Sequence, residues 1–503
     1  MFSQIPLPVQ DTLHALHEAG FEAYIVGGCV RDILLKRTPR DWDITTSALP
    51  ENILALFPES FYENAFGTVG VKVPRFTTQE GETVVSDDAK EIIEVTTYRT
   101  ESAYADKRRP DTVSFTTSLK EDLARRDFTI NALAYGKDAT GAWVLVDPFS
   151  GQADLDQKRI CTVGNPEERF SEDALRLMRA VRLLTELRDP REKSPSRAWH
   201  LEEKTEKAIV ILSENLQHIS QERIRDELTK IILSDSPAFG IETLARLHLL
   251  RFIAPELELG IGVTQNLHHI YTVWEHNLRA LDTCPSKKLS VRLACLFHDV
   301  GKPATKRGEG YNSTFYNHDH VGAKITEQAL TRLRFSNDVV RHATLLVDNH
   351  LFYYNVDEVT EASVRRLIKR VGLENMDDLM AVRIGDRLGS GVPKGKPYKL
   401  RHLEYMIEKV SRDPLSVKML ALKGNDLMEA LSLSPSPKIG MLLNVLLAEV
   451  IETPEKNTRE ILLVRASELV HHDLSTLQKL AQEKITEKKS LEDNQIKKRH
   501  WVE

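Results

Sequence analysis

Cysteine is scarce and scattered. The chain has four in 503 residues, Cys29, Cys161, Cys284 and Cys295, with no CxxC pair among them. That excludes a disulfide framework and a thiolate zinc knuckle, and it points to a reducing compartment, the cytoplasm. Long apolar runs are missing too. None would span a bilayer, and the opening MFSQIPLPVQDTLHALHEAG lacks the basic-then-apolar order of a secretory signal, so no membrane partner is expected. Nor is there an excess of positive charge: the net charge is −6, so a polyanion-binding surface has to be local. DKRRP at Asp106–Pro110, ARRD at Ala124–Asp127 and the Lys/Arg-rich stretch around Lys484–His500 are candidates, though each alone is more often a solvated face than a binding site. What remains, 41% hydrophobic and 28% charged residues, is the composition of a soluble globular protein long enough for three or four domains.

The patterning predicts an α+β chain without internal repeats. Residues 1–155 read as a mixed head: AYIVGG is a short strand ending in glycines, VRDILL a helix, RDWDITT, TVGVKV and EIIEVTTYR strands, and SLKEDLARRDFTINALAY returns to helical spacing. Residues 156–261 are helical, with RDPREKSPSRAW as a loop. A histidine-rich helical block covers 262–391, with PKGKP as its exit linker. A helical tail fills 392–503, its charged end ITEKKSLEDNQIKKRH expected frayed or disordered.

The stretch GGCVRDILLKRTPRDWDIT carries the first chemistry. Gly27 and Gly28 stand at a strand end before a helix, where unpaired N–H groups favour a triphosphate. Asp41 and Asp43 alternate with Trp42 and Ile44. In an extended strand the two carboxylates share a face about 7 Å apart and repel unless a cation lies between them. Mg²⁺ takes carboxylates plus substrate phosphates, and two such ions clamp an in-line phosphoryl displacement. Glu94 is the candidate third carboxylate, because Ile93, Val95 and Thr97 can face the core while it faces out. A lone Glu on a strand reads equally well as merely exposed.

Taken in order, GGCVRD…DWD, RRDFTIN at Arg125–Asn131 and EDALRLMR at Glu172–Arg179 resemble the motifs of the class II tRNA nucleotidyltransferases, the CCA-adding enzymes and bacterial poly(A) polymerases, over roughly the first 230 residues. The resemblance implies a polymerase-β-like palm followed by an all-α neck and body that binds nucleobase and tRNA. It also implies that Arg126, Asp127 and Asn131 hold ribose and phosphates. Arg31 and Arg179, within the first and last motifs, join the nucleotide-binding set.

The last motif also has a chemical reading. Asp173 and Arg176 are three apart on a predicted helix and so share a face. Ionised Asp only accepts hydrogen bonds and Arg only donates them. Cytosine and adenine each present an amino donor beside a ring-nitrogen acceptor; guanine and uracil present the reverse and are rejected. Here the protein replaces a template. The competing reading is an i,i+3 salt bridge on a surface helix. In the family that this resembles, a flexible loop such as TESAYADKRRP at Thr100–Pro110 marks enzymes able to add adenosine.

A second constellation, VWEHNLRAL…LACLFHDVGKP…FYNHDHVGA…LVDNHL…RIGDRLGSG, supplies His276, His298, Asp299, His318, His350 and Asp386. Imidazole with carboxylate suits a divalent Mn, Fe, Co or Ni ion, which would activate water against phosphate esters. His268, His269, His320 and His342 read as structural. The order H…HD…H…H…D resembles the HD-domain phosphohydrolases. A head and an HD block in one chain resemble the multifunctional bacterial tRNA nucleotidyltransferases, with the tail on the tRNA elbow, although Ser436-Pro437 stands where that tail often has Gly-Pro. The implied partners are tRNA, CTP and ATP, with an oligomer allowed. Three alternatives stay open: an A-adding enzyme beside a separate CC-adding one, a poly(A) polymerase, which the HD block disfavours, and an HD hydrolase whose head only binds RNA. A scaffold would leave both ligand sets without a use.

Overall fold

The computed structural model describes residues 4–64, 67–79, 82–101, 113–192, 194, 197–266, 270–356, 358–392, 395–411, 417 and 420–502. The basic segment at 106–110, His268, His269 and the first two residues of PKGKP lie outside these. The chain divides into two compact units, one of residues 1–348 with 389–391, the other of 349–388 with 392–503.

The first unit opens with a sheet, followed by helices, an α+β arrangement. Among the described residues seven strands form that sheet: β1 Ala23–Val26, β2 Asp43–Thr46, β3 Ser60–Asn64, β4 Thr68–Gln79, β5 Glu82–Thr97, β6 Ala134–Lys137 and β7 Trp143–Val146, in the order β3-β4-β5-β2-β1-β6-β7. Apolar and β-branched side chains at alternate positions make these strands. Ile25, Ile44, Ile93 and Val95 are fully buried. Among the described residues β2 and β5 form this sheet's one parallel pair, with Asp43 opposite Glu94; β2 also runs antiparallel to β1, with Asp43 opposite Val26. The strand expected from Arg40 begins only at Asp43, so Asp41 stands exposed just ahead of it while Trp42 turns into the core at 6% exposure.

Helix α1, Gly28–Leu34, follows β1 directly. The neck begins with α2, Pro166–Glu172, whose Asn165 side chain caps the Glu167 amide. It continues with α3, Leu175–Leu187, and α4, Gln221–Leu233, packed on one another. In α3 the apolar residues Leu177, Met178, Val181 and Leu184 are buried, which leaves its arginines to reach sideways. The histidine-bearing helices are α5 Val273–Asp282, α6 Leu289–Phe297, α7 His318–Arg332 and α8 Asn337–Asp348. Thr272 and Glu275 close a capping box at the start of α5 and fix where His276 sits one residue later.

The second unit is helical, including α9 Glu361–Val371, α10 Met376–Gly389, α11 Tyr398–Ser411, α12 Pro437–Glu452 and α13 Leu474–His500. The charged tail expected to fray is instead part of the single helix α13, which packs on α11 and α12. Salt bridges from Lys497 to Asp493 and from His500 to Glu408 hold its end. No helix of the described residues is long and apolar enough to cross a membrane.

Gly301 lies where the HDVGKP turn meets α7. A Cβ there would stand 2.2 Å from the His318 carbonyl oxygen and 2.6 Å from the Gly322 amide nitrogen, both rigid backbone. Gly301→Ala should therefore push Asp299 and His318 apart and lower stability by about 1–3 kcal/mol, the usual cost of overpacking. Urea denaturation measures this; an unchanged midpoint would refute the close packing.

Candidate active site

The first site sits at the end of β1. Gly27 adopts φ +82°, a conformation in which an L side chain is strained, and a Cβ there would lie 3.2 Å from Arg126 Nη1 and 3.7 Å from Asp43 Oδ2. Bare backbone, an arginine and a carboxylate thus converge. Glu94 stands beside Asp43 on the neighbouring strand with Ile93 and Val95 buried on either side, as the alternation predicts. Burial pushes the Asp43 carboxyl up, and Asp41 and Glu63 add to this while Arg126 opposes it. Glu94 is pushed up to about 7 by burial, then by Asp43, Glu63 and Asp41. Sequence reasoning missed Glu63, because FYEN at the end of β3 carries no motif and only the folded sheet brings it near. So many carboxylates against one arginine leave a deficit of positive charge, and the donor set suits a hard divalent cation. Cys29, inside GGCVRD, is no nucleophile. Burial pushes its thiol up to about 12, and Sγ donates to the Val26 carbonyl at 3.3 Å.

A chain of contacts leads away from the glycines. Arg31, whose Nη2 is 3.7 Å from where a Gly28 Cβ would be, donates from Nη1 to Asn131 Oδ1 at 2.8 Å. Asn131 donates to Asp127 Oδ1 at 3.3 Å, and Arg179 forks onto Asp127 Oδ2 from Nε at 2.7 Å and Nη2 at 2.6 Å. Burial alone would raise the Asp127 carboxyl; the Arg179 and Arg176 guanidiniums instead hold it well below the usual carboxylate range. Arg126 differs. Its Nη2 reaches Asp122 at 3.5 Å, but its buried Nε has no hydrogen-bond partner among the described residues. A half-buried guanidinium whose buried Nε is unpartnered among the described residues, beside Gly27 and Asp43, is suited to an anion.

Asp173 and Arg176 do not share a helix face. Helix α2 ends at Glu172, Asp173 is extended (φ −139°, ψ 104°), and its Oδ1 caps the Leu175 amide at 3.0 Å. An Asp two residues ahead of a fresh helix competes for that helix's free amides, so the run breaks there. Arg176 is buried. It reaches Glu172 at 2.5 Å, the Arg169 carbonyl at 3.0 Å and the Arg125 carbonyl at 3.1 Å. Asp173 takes a fork from Arg223 on α4, and Glu227 on the same helix accepts from Arg182 Nε at 2.6 Å and stands 3.9 Å from Arg179. Arg223 and Glu227 escaped sequence reasoning because, four apart in QERIRDEL, they look like an ordinary surface helix pair. The charges of Asp127, Glu227 and Asp173 all act on Arg179. Asp173 is therefore near enough to Arg179 to act on its charge.

The second cluster lies in the first unit. His276 Nε2 and His298 Nε2 are 2.9 Å apart, with Asp299 Oδ2 3.3 Å from the first and 3.4 Å from the second. His318 Nε2 is 3.2 Å from Asp299 Oδ1. His298 Nδ1 donates to the Cys295 carbonyl at 2.8 Å and His318 Nδ1 to the Phe315 carbonyl at 2.7 Å, which leaves the lone pair of each ring on Nε2, aimed at the cluster. Lys302 donates to Asp299 at 2.5 Å and to Gln265 at 2.6 Å. Against burial, Lys302 and His298 hold the Asp299 carboxyl well below its ordinary value. Imidazole lone pairs with a carboxylate fit a divalent transition ion. His350 and Asp386 lie in the second unit. His350 is buried, and Asp386 pairs with Arg383 at 2.8 Å. His320 and His342, read as structural, pair with Asp348 and Ser290.

Known proteins share this architecture. The poly A polymerase head domain matches residues 23–161, the segment described as "Probable RNA and SrmB-binding site of polymerase A" matches 199–260, and the HD domain matches 261–384. A CCA-adding enzyme of Lactobacillus helveticus is 48% identical over 225 residues, 45% of this chain and 49% of the relative. One of Listeria monocytogenes serotype 4b is 44% identical over 248 residues, 49% and 55% of the two. The chain spans about half the length of the curated relatives it matches. The crystal structure of the Bacillus stearothermophilus CCA-adding enzyme in complex with CTP aligns with 92% of this chain and 98% of its own, at 28% identity and a TM-score of 0.56. The Thermotoga maritima CCA-adding enzyme complexed with tRNA shares the fold at 17% identity and a TM-score of 0.51, over 93% of this chain and 97% of its own.

Glu94 predicts a pH signature. Its folded pKa is raised from 4.5 to about 7, so its contribution to stability is complete below 4.5 and lost as pH climbs through about 7. In EDTA, wild-type protein should lose more melting temperature than Glu94→Gln between pH 6 and 8, and Mg²⁺ should narrow the gap. Parallel pH profiles would contradict the crowded-carboxylate reading.

Proposed function

We propose that the chain, in which a poly A polymerase head, an RNA-binding segment and an HD domain match in that order, is a class II tRNA nucleotidyltransferase that adds C, C and A to the 3′ end of tRNA from CTP and ATP without a nucleic-acid template. One observation carries the reading: Gly27, Asp43 and Arg126 converge within a few ångströms while Glu94 stands in register with Asp43.

Each group then has a task. Asp41, Asp43 and Glu94 would hold Mg²⁺, which when bound supplies charge for the attacking and leaving oxygens of an in-line displacement. The open backbone at Gly27 and Gly28 lets the triphosphate approach, and the free Nε of Arg126 offers it a donor. Arg31, Asn131, Asp127 and Arg179, already hydrogen-bonded to one another, would hold ribose and phosphates without having to be organised at the moment of binding. Asp173 would accept the amino group of cytosine or adenine, and Arg176 would donate to the ring nitrogen, leaving Glu172 or a carbonyl to do so. CTP in the Bacillus stearothermophilus relative supports the choice of substrate.

The second activity is a phosphohydrolase. His276, His298, Asp299 and His318 would hold a divalent transition ion of the Mn, Ni, Co or Fe kind, which supplies Lewis acidity toward a phosphate ester. The tautomers fixed by Cys295 and Phe315 favour this over a structural histidine cluster, in which the nitrogens would point at separate partners. The tail at 392–503 would bind tRNA, and the cytoplasm is the compartment.

Purified protein incubated with tRNA lacking CCA, tRNA-C and tRNA-CC should incorporate CMP, CMP and AMP in turn. AMP added only to tRNA-CC would make it an A-adding enzyme, and no CMP on any end removes the CCA assignment. Asp41→Ala should cut addition at least about a hundredfold and spare hydrolysis of a 2′,3′-cyclic phosphate. His298→Ala should do the reverse, and joint loss in either variant would deny two independent sites.

A further inference from the structure

We infer that the sheet face beside the acidic set seats the 3′-terminal nucleotide of the RNA being extended, its base stacked on Phe61 against Ile92 and its phosphate on Lys72. The inference rests on the nucleotidyltransferase reading given above.

The seat is part of a row that crosses the sheet. Phe61 on β3 stands opposite Gly70 on β4, Gly70 opposite Glu94 on β5, Glu94 opposite Asp43 on β2, and Asp43 opposite Val26 on β1. Residues in register share a face. Val69, Val71, Ile93 and Val95 are buried on the other face, so Phe61, Glu94 and Asp43 project from this one. Gly70 has no side chain, and Phe61 takes the space. A Cβ at Gly70 would stand 2.6 Å from the ring's Cζ and 3.2 Å from Ile92 Cγ2. The ring thus leans from β3 toward the strand of Glu94. Ile92, two residues before Glu94, is 49% exposed, and Lys72 Nζ lies 5.6 Å from the Phe61 ring centroid. Lys72 is exposed and makes no salt bridge among the described residues; Glu59, which feels its charge, pairs with Lys90.

The direction of the chemistry selects the occupant. An in-line displacement sets the attacking hydroxyl and the leaving group on opposite sides of the phosphorus. Gly27 and Arg126 stand at the β1 end of the row, so the triphosphate fills that side and the hydroxyl arrives from the side of Glu94. Neighbouring strands lie about 4.8 Å apart. The ring over Gly70 is therefore about one spacing from Glu94 and about two from Asp43, within reach of a single nucleotide. The incoming base is already assigned to Asp173 and Arg176 in the neck. An aromatic ring and a methyl group beside an ammonium suit a ligand with a flat apolar face and a phosphate, which the last residue of an RNA offers. Stacking also answers a demand of the reaction. Successive additions present ends that differ in their base, and a platform that reads only the π-face accepts them all.

The test measures CMP addition to tRNA lacking CCA and to the same tRNA whose last nucleotide is abasic, using the full chain as wild type, Phe61→Ala, Phe61→Leu and Lys72→Met. Wild type should prefer the ordinary end by about tenfold or more in kcat/KM for tRNA, the worth of one stacked base. Phe61→Ala should lose most of that preference by slowing on the ordinary end alone, with KM for CTP unchanged. Phe61→Leu keeps Gly70 covered but has no ring, and should lose the preference too. A methylphosphonate at the last linkage, which removes the phosphate charge, should slow wild type and leave Lys72→Met unaffected. Equal slowing of both ends by Phe61→Ala overturns the inference, since lost sheet packing does not sense a base. A wild type indifferent to the missing base overturns it as well. Should Phe61→Ala fail to fold, a wild-type preference in Phe61→Leu has the same force. A wild type that adds no nucleotide to any tRNA end overturns the reading beneath it instead.

Discussion

The pairing of Asp127 with Arg179 is the joint on which the nucleotide site depends. Asp127 belongs to the sheet-built head, Arg179 to the first long helix of the neck, and two of the guanidinium nitrogens meet one carboxylate oxygen. Burying a carboxylate is tolerable only with a partner, so the head cannot close without the neck in place. From Asp127 the order runs both ways. Asn131 and Arg31 carry it to the glycine turn, and the field of Arg179 carries it to Glu227 and Asp173. Under the proposed roles, phosphate grip and base reading would therefore share one ion pair, and a distortion of either would be felt by the other.

The two metal-type clusters use opposite electrostatics. The head gathers carboxylates whose charge is underpaid by arginine, so Asp43 and Glu94 rise in pKa. The histidine cluster keeps a single carboxylate, strongly held by Lys302 and His298, among imidazoles turned by backbone carbonyls. The first arrangement suits a hard ion that arrives with phosphate, the second a softer ion held by nitrogen. If both sites are filled, as proposed, ligand type alone would separate two cation chemistries in one chain.

Much of this was legible in the sequence, and the boundary between what was and was not has a physical cause. Alternation placed Ile93 and Val95 in the core and so turned Glu94 toward Asp43, because a period of two leaves no other choice. The glycine turn and the head-then-helix order were equally readable. Asp173 was misplaced because helical spacing continues through EDALRLMR, whereas the side chain of Asp173 prefers the free amide of Leu175 and ends the run. Glu63, Arg223 and Glu227 were invisible for another reason: their roles come from partners distant in sequence, and nothing local marks them. The tail helix α13 was underestimated because its charged surface reads as unfavourable until the salt bridges of Lys497 and His500 are known.

The parallel pairing of β2 with β5 has a consequence for biosynthesis. Antiparallel neighbours can zip from a tight turn, but a parallel pair must wait for a crossover. Here the chain makes the β3–β4 excursion before Glu94 returns to Asp43. As the polypeptide leaves the ribosome, the glycine turn and its aspartate emerge well ahead of the strand that completes the acidic set, and Arg179 follows later still. Contacts that span such separations form late. A nascent or truncated chain would therefore lack the full acidic set, and under the proposed function phosphoryl chemistry would wait until the neck has been synthesised and docked.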